Sequence, residues 1–453
     1  MLILLPISIF VKAVISNKYI IRLALPILFA QIIPQISFVA NSIFLGKFGE
    51  LELRVNGVAG IFYLTFAMVG YGLSNGMQIM FSRRAGEGDS RGLAASLSTG
   101  LLLSFLCSMG MMMLCLWLAP IIFSFSLHDQ QNISSSVNFL YIRVWGLPFL
   151  MLTQLLNGFF ISIQQSRFLV YGSLAATVVN ILFDYLLIFG HAGFPVMGIA
   201  GAAVASILAE LVQCLVMFSV FFFNRFHHIY PIHKQMSFDV ALSKNSLKVA
   251  SPLIIQYLFS IGGWQIFFFY VEHLGNRELA ASQIIRSMFG FIWVGIWAFS
   301  AVSNNMVSNI IGQGKSNQVM NLVKKIATLS FVYAFSICLL VFIFSESFIG
   351  IYRNDSAIIA LAKPAMFLVL GSTIIMSAST VLFNAVVGTG NTIMNLTMEI
   401  TAIFLYLLYC YFVIEKMKLS LTWAWGSEYV YWISLLVISF FYLRSKKWKG
   451  KEV

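Results

Sequence analysis

Long apolar runs separated by short polar connections dominate the chain, and their lengths decide the secondary structure. A helix needs about 20 consecutive apolar residues to span the hydrocarbon layer. Runs of that size lie near 19–45, 56–82, 93–126, 135–162, 168–190, 196–224, 247–273, 279–311, 321–350, 357–388, 392–414 and 421–443. They are too long for barrel strands, and a helix satisfies all its backbone hydrogen bonds within the segment. The pattern therefore predicts an all-α polytopic membrane protein with twelve transmembrane helices. The opening stretch, 1–15, is apolar but has neither a basic region before it nor a small-residue cleavage site, so it reads as an interfacial segment leading into the first span.

Composition agrees with lipid as the solvent. Hydrophobic residues make up 60% and charged residues 10% of the 453 positions, and the mean hydropathy is +0.89, whereas soluble domains carry about 25% charged residues. The net charge of +12 does not point to nucleic acid, because the basic residues sit in the short connections between spans. Cys107, Cys115, Cys214, Cys338 and Cys410 are scattered singly in apolar runs and read as small core residues rather than disulfides or ligands.

The basic residues also orient the chain. Alternate connections carry nineteen and seven of them, and the richer set includes both ends, which predicts an inner (plasma) membrane protein with both termini cytoplasmic. The longest connection holds His227, His228 and His233, but no acidic or cysteine partner accompanies them, so it reads as an inter-lobe linker and not as a metal site. The expected organisation is an N-terminal six-helix lobe over 1–224, a cytoplasmic linker over 225–246, and a C-terminal six-helix lobe with a basic tail over 247–453.

An internal repeat supports two lobes. At a constant shift of 226, residues 53–90 lie on 279–316 and match Leu53 with Leu279, Ser74 with Ser300, Met80 with Met306, Ser82 with Ser308, Gly86 with Gly312, Gly88 with Gly314 and Ser90 with Ser316. Chance gives roughly two identities over such a stretch. The shift covers six spans, an even number, so the two bundles are parallel repeats, an arrangement suited to rocking about a central cavity. Neither H-E-x-x-H nor G-x-S-x-G nor a phosphate loop ending in Lys-Ser/Thr occurs, which argues against an enzyme and against direct use of ATP.

Ionisable groups at the bilayer centre cost at least about 2.5–3.5 kcal/mol each, so those inside spans are candidate sites. Five stand out: Arg143, Asp184, Glu210, Arg286 and Glu399. Counted at 1.5 Å per residue, Asp184 lies roughly 9 Å below the helix end near Gly190, Arg143 roughly 12 Å below the end near Ser135, and Asn41 roughly 8 Å below Gly46. Asn180 is one turn from Asp184 on the same face. Asp184 is thus the expected coupling-ion ligand, with Asn180 beside it and Arg143 as the candidate charge partner. A sodium ion at Asp184 is the only metal the sequence suggests. Arg286, Glu399 and Glu210 are candidate cavity residues. Pro26 and Pro34 free carbonyls within the first span, and the 43 Phe and 20 Met suit soft packing around apolar cations.

These features resemble the multidrug and toxic compound extrusion (MATE) family over nearly the whole chain. The resemblance is carried by Gly146-Leu147-Pro148-Phe149 with Asn157-Gly158, by Asn180-Ile181-Leu182-Phe183-Asp184 with Leu187-Ile188-Phe189-Gly190, by Gly198 through Ser206, and by Gly86-Glu87-Gly88-Asp89. It implies export of organic, cationic or amphipathic small molecules in exchange for H+ or Na+, with no cofactor besides that ion, by a monomer in contact with membrane lipid. It adds Ser206 as a further ion-site ligand and places Asn41, expected in the coupling-ion site as an uncharged ligand or packing group, where the family carries Asp; an amide there cannot take up a proton. The acidic residues some branches hold in the seventh and tenth spans have no counterpart here beyond Glu272, at the end of the seventh. Flipping of a lipid-linked saccharide is the alternative expectation.

Overall fold

The computed structural model describes residues 12–126, 129–232, 239–347 and 356–450. Twelve helices among them are long and apolar enough to cross a membrane: α1 Asn17–Phe48, α2 Glu50–Glu87, α3 Ser90–Phe125, α4 Gln130–Ser162, α5 Arg167–Phe189, α6 Ile199–Phe223, α7 Val240–Glu272, α8 Asn276–Gly312, α9 Ser316–Ile343, α10 Ile358–Gly388, α11 Thr392–Lys416 and α12 Leu421–Ser445. The described residues contain no strand. Most of the opening interfacial stretch, along with His233, lies outside the described residues.

The chain divides into two compact units, one built on Phe29–Ile254, the other on Lys12–Leu28 with the chain from Ile255 onward. The division falls inside α1 and α7 at positions 226 residues apart. Each comes two residues after a proline, Pro26 and Pro252, and helix continues through both prolines.

Apolar residues face outward as well as inward, as expected where lipid is the solvent. Phe125 is 85% and Phe223 75% exposed. The interior of the first unit gathers Val55, Tyr63, Phe66, Met112, Phe139, Leu147 and Met151; that of the second gathers Phe267, Ile285, Phe289, Met366, Tyr406 and Trp425. Small residues set the closest helix approaches, because without a hydrophobic force between helices in lipid, backbone proximity supplies the packing. A Cβ on Gly201 of α6 would lie 2.7 Å from the Leu187 carbonyl of α5, and neighbouring Ala202 and Ala203 are buried. That contact fixes α6 against the end of α5, where Gly190 takes a left-handed φ of +73°, open to glycine at little cost. The amides of Met197 and Gly198 then donate to the Leu187 and Ile188 carbonyls at 2.9 and 3.3 Å.

Helix α4 is interrupted by a tight 3-10 turn at Val144–Gly146, followed by Pro148 near the start of its second half, where a missing N–H is tolerated. The same turn positions the charge pair described below.

Candidate functional site

In the first unit, three polar residues line one face of α5 at helical spacing: Thr177, Asn180 and Asp184. Two more, Ser37 and Asn41, sit one turn apart on α1. Because α1 and α5 run in the same direction at this seam, they meet in register. The Ser37 hydroxyl donates to Asn180 Oδ1, and Asn41 Nδ2 donates to Asp184 Oδ2 at 3.1 Å. From α2, Asn56 Nδ2 donates to Asn41 Oδ1 at 3.3 Å. Beyond the site, Phe44 and Phe48 of α1 pack on Phe189 with ring centroids 6.0 and 6.1 Å apart, and Leu45, Ile188 and Ala202 form a dry cluster.

Asp184 is 0% exposed, yet its Oδ1 has no hydrogen-bond partner. The same holds for Asn180 Nδ2 and Thr177 Oγ1. Buried polar atoms are nearly always satisfied, so the unpaired atoms on three successive turns of one face are open to a water, a proton or a polar ligand. The Asn180 amide is adaptable: the Ser37 hydroxyl can donate or accept, so a half-turn of the amide keeps that bond and brings Oδ1 to the side where Nδ2 stood. With the amide turned, Asp184, Asn180 and Thr177 offer three oxygens to a cation; alternatively, a proton satisfies Asp184 alone.

Arg143 is not the charge partner of Asp184. Its guanidinium makes a two-pronged pair with Glu210 of α6, at 2.8 Å from Nη1 to Oε2 and 2.5 Å from Nη2 to Oε1, and lies 4.0 Å from the Tyr63 ring centroid. Nη1 also donates to the Tyr63 hydroxyl at 3.1 Å. Counted along their spans, Arg143 and Asp184 fall at similar depths, but the half of α4 that carries Arg143 packs on α2, α3 and α6, so azimuth rather than depth chooses the partner. Room for the pair comes from the 3-10 turn: a Cβ on Gly146 would collide with Glu210 Oε2 and lie 2.6 Å from Arg143 Nη1. Glu210, expected as a cavity residue, is thereby neutralised by an arginine.

Ser206 is half-buried on α6, one turn before Glu210, and makes no hydrogen bond to Asp184 or Asn180 among the described residues. Sequence reasoning missed Ser37, Asn56 and Thr177. The usable signal was the matching one-turn spacing of Ser37/Asn41 and Asn180/Asp184 on two parallel spans.

In the second unit, Arg286 of α8 faces Trp264 and Phe268, 5.6 and 5.4 Å from their ring centroids, and forms no ion pair among the described residues. Glu399 of α11 is 0% exposed and is bonded by hydroxyls of α7 and α12; Arg286 and Glu399 do not meet.

The family model described as MatE matches residues 26–186 and again 252–412, two copies offset by the same 226 residues as the repeat. The chain belongs to the MatE family. A protein of Synechocystis sp. named "Probable multidrug resistance protein NorM" is 26% identical over 351 residues, 74% of each chain. One of the same name from Thermotoga maritima is 21% identical over 447 residues, covering 96% of this chain and 94% of its own. A solved structure described as the outward-facing conformation of a multidrug resistance MATE family transporter of the MOP superfamily superposes with a TM-score of 0.89 at 15% identity, over 96% of this chain and 97% of that one. A MOP superfamily transporter from Pyrococcus furiosus superposes with a TM-score of 0.87 at 15% identity, with the same coverage. This MATE protein is therefore a twelve-helix transporter with a twice-repeated fold.

Proposed function

We propose that this MATE protein is a secondary antiporter that exports organic, cationic or amphipathic compounds in exchange for H+ or Na+, bound at Asp184 of the first unit. The carrying observation is a fully buried carboxylate with one oxygen unpaired and no basic partner, since the nearby arginine is bonded to Glu210. Such a group is stable only when it holds a proton or a cation. Loading and unloading changes the charge of the lobe, and a ligand that binds two conformations unequally shifts the balance between them. Parallel six-helix repeats suit alternating access, and relatives named for multidrug resistance support the substrate class.

Asn41 takes a defined part in this scheme. Its amide donates to Asp184 Oδ2, as a protonated acid in that position would, and two carboxylates at that distance could not both ionise. A single titratable carboxyl therefore remains in the seam. The uneven distribution of basic residues supports a plasma-membrane location with both termini cytoplasmic, and each unit has its own core, which supports a functional monomer.

The test is reconstitution into liposomes with pH and sodium gradients imposed separately and a panel of organic cations offered. Saturable counterflow that follows one of the gradients is expected. Transport indifferent to both gradients would overturn the antiport reading.

A further inference from the structure

The seam between the first and fifth spans of the first unit has its equivalent between α7 and α11 of the second, and that seam also holds one buried carboxylate, at a different depth. Gln256 and Ser260 of α7 face Asn395 and Glu399 of α11. Asn395 Nδ2 donates to Gln256 Oε1 at 2.8 Å, and the Ser260 hydroxyl bonds to Glu399 Oε1. Removing the repeat shift of 226 places these four on Ala30, Pro34, Leu169 and Ser173, seven residues before Ser37 and Asn41 on the one helix and eleven before Asn180 and Asp184 on the other. The two polar clusters are thus offset along the seam by about two to three helical turns, roughly 10–16 Å. Positions equivalent to Asn180 and Asp184 are Tyr406 and Cys410, so the second cluster is not a copy of the first.

Hydrogen-bond accounting around Glu399 shows a shortage of donors. Tyr431 of α12 donates its hydroxyl to Glu399 Oε1 at 2.7 Å. Ser260 has a single proton but two acceptors in reach, Glu399 Oε1 and the Gln256 carbonyl at 3.0 Å. Glu399 Oε2 and Asn395 Oδ1, each on a residue 0% exposed, have no partner at all. No lysine or arginine pairs with Glu399 among the described residues. Its titratable neighbours are Tyr431, Glu428 one turn before it on α12, and Tyr406 on α11, whose ring lies 5.8 Å from that of Tyr431. The facing α7 residues, Ser260 and Gln256, are neutral. On α10 the one titratable side chain is Lys363, bonded to Glu346.

We propose that Glu399 is a second, reversible proton-binding site, with Ser260 as the partner that turns. When Glu399 is ionised, Ser260 and Tyr431 both donate to Oε1. When one proton from water binds, the carboxyl becomes a donor, the Ser260 hydroxyl turns to the Gln256 carbonyl, and its oxygen accepts from the acid. One added proton thus ends the competition for the Ser260 hydroxyl and removes the buried charge, so that the unpaired Oε2 becomes a neutral carbonyl oxygen, less costly to bury than a carboxylate oxygen, without moving a helix. A metal cation fits less well, because the unpaired oxygens here are one carboxylate atom and one amide atom, whereas cations of that kind take a larger shell of oxygens. Ser260 and Tyr431 are themselves half-buried, so each links the enclosed carboxyl to a less enclosed position. The inference concerns proton binding and does not depend on Asp184 being the coupling site.

Infrared spectroscopy of the purified full-length protein, titrated from about pH 5 to about pH 9, tests it. Carbon-13 labelling of glutamate separates glutamic from aspartic acid bands. The expected result is a glutamic acid carbonyl band that is lost as pH rises, is missing in Glu399→Gln, and persists in Asp184→Asn. Glu399→Asp, which keeps a carboxyl should the amide variant fail to fold, moves the band out of the glutamate-labelled set. Ser260→Ala shifts the frequency of the band without abolishing it, because it removes the acid's acceptor. A titrating band that survives in both Glu399 variants, no such band in the wild type, or a Glu399 band unchanged across the pH range would each overturn the proposal.

Discussion

Arg143 and Glu210 form a structural pair, and a double-mutant cycle gives that statement a magnitude. Both side chains are nearly enclosed, 13% and 11% exposed, joined by two hydrogen bonds and covered by Tyr63. Removing one partner of a buried pair costs about 3–5 kcal/mol, because the other charge is left without compensation. The residual exposure favours the lower end, about 3 kcal/mol. Removing both charges in favour of apolar side chains of similar volume is often nearly neutral. Arg143→Met and Glu210→Leu should therefore each destabilise by about 3 kcal/mol, while the double variant recovers to within about 1 kcal/mol of the wild type. For a unit of this length, 3 kcal/mol corresponds to a fall of about 6–12 °C in the unfolding midpoint. The assay is fluorescence-monitored thermal unfolding in detergent at one fixed scan rate, since midpoints of irreversible unfolding depend on that rate. Additive single effects, with the double variant as unstable as their sum, would refute the pairing argument.

Gly146→Ala should disturb the same pair from its backbone side, because the new Cβ would collide with Glu210 Oε2; a loss of about 1–3 kcal/mol is expected in the same unfolding assay. Asn41→Ala removes one hydrogen bond to Asp184 and should slow gradient-driven transport about tenfold, from about 1.4 kcal/mol, while Asn41→Asp creates a carboxyl pair that shares a proton and keeps transport under a pH gradient. Initial rates in liposomes check both, and complete loss in the two variants together would count against the role given to Asn41. Gly201→Val should push α6 off α5, because its Cβ would stand only 2.7 Å from the Leu187 carbonyl, and should lower both the unfolding midpoint and the transport rate.

The spans were legible because lipid demands about 20 apolar residues at each crossing, a one-dimensional property that survives without any packing information. Depth was legible for the same reason, and Asn41 meets Asp184 as their depths suggest, while Asn180, one turn along, bonds Ser37. Azimuth was not. Depth alone put Arg143 beside Asp184, whereas the packing of α4 on α6 turns it to Glu210. Gly146 looked like part of a motif; its physical reason, room for a charge pair, depends on a helix about 60 residues away in the chain. Glu399 was visible as a buried acid, but Ser260 and Tyr431 come from two other helices, and no local pattern names them.

The central claim is that the unpaired carboxyl of Asp184 carries the coupling ion. The most direct measurement is ion-gradient-driven transport by liposome-reconstituted Asp184→Asn beside the wild type, with unfolding midpoints first showing that both proteins insert and fold. The amide keeps the size of the side chain and can still meet Asn41, but it can neither release a proton nor neutralise a cation. The account predicts that the folded variant loses acceleration by the gradient while retaining substrate binding; wild-type gradient-driven transport by the folded variant would contradict it.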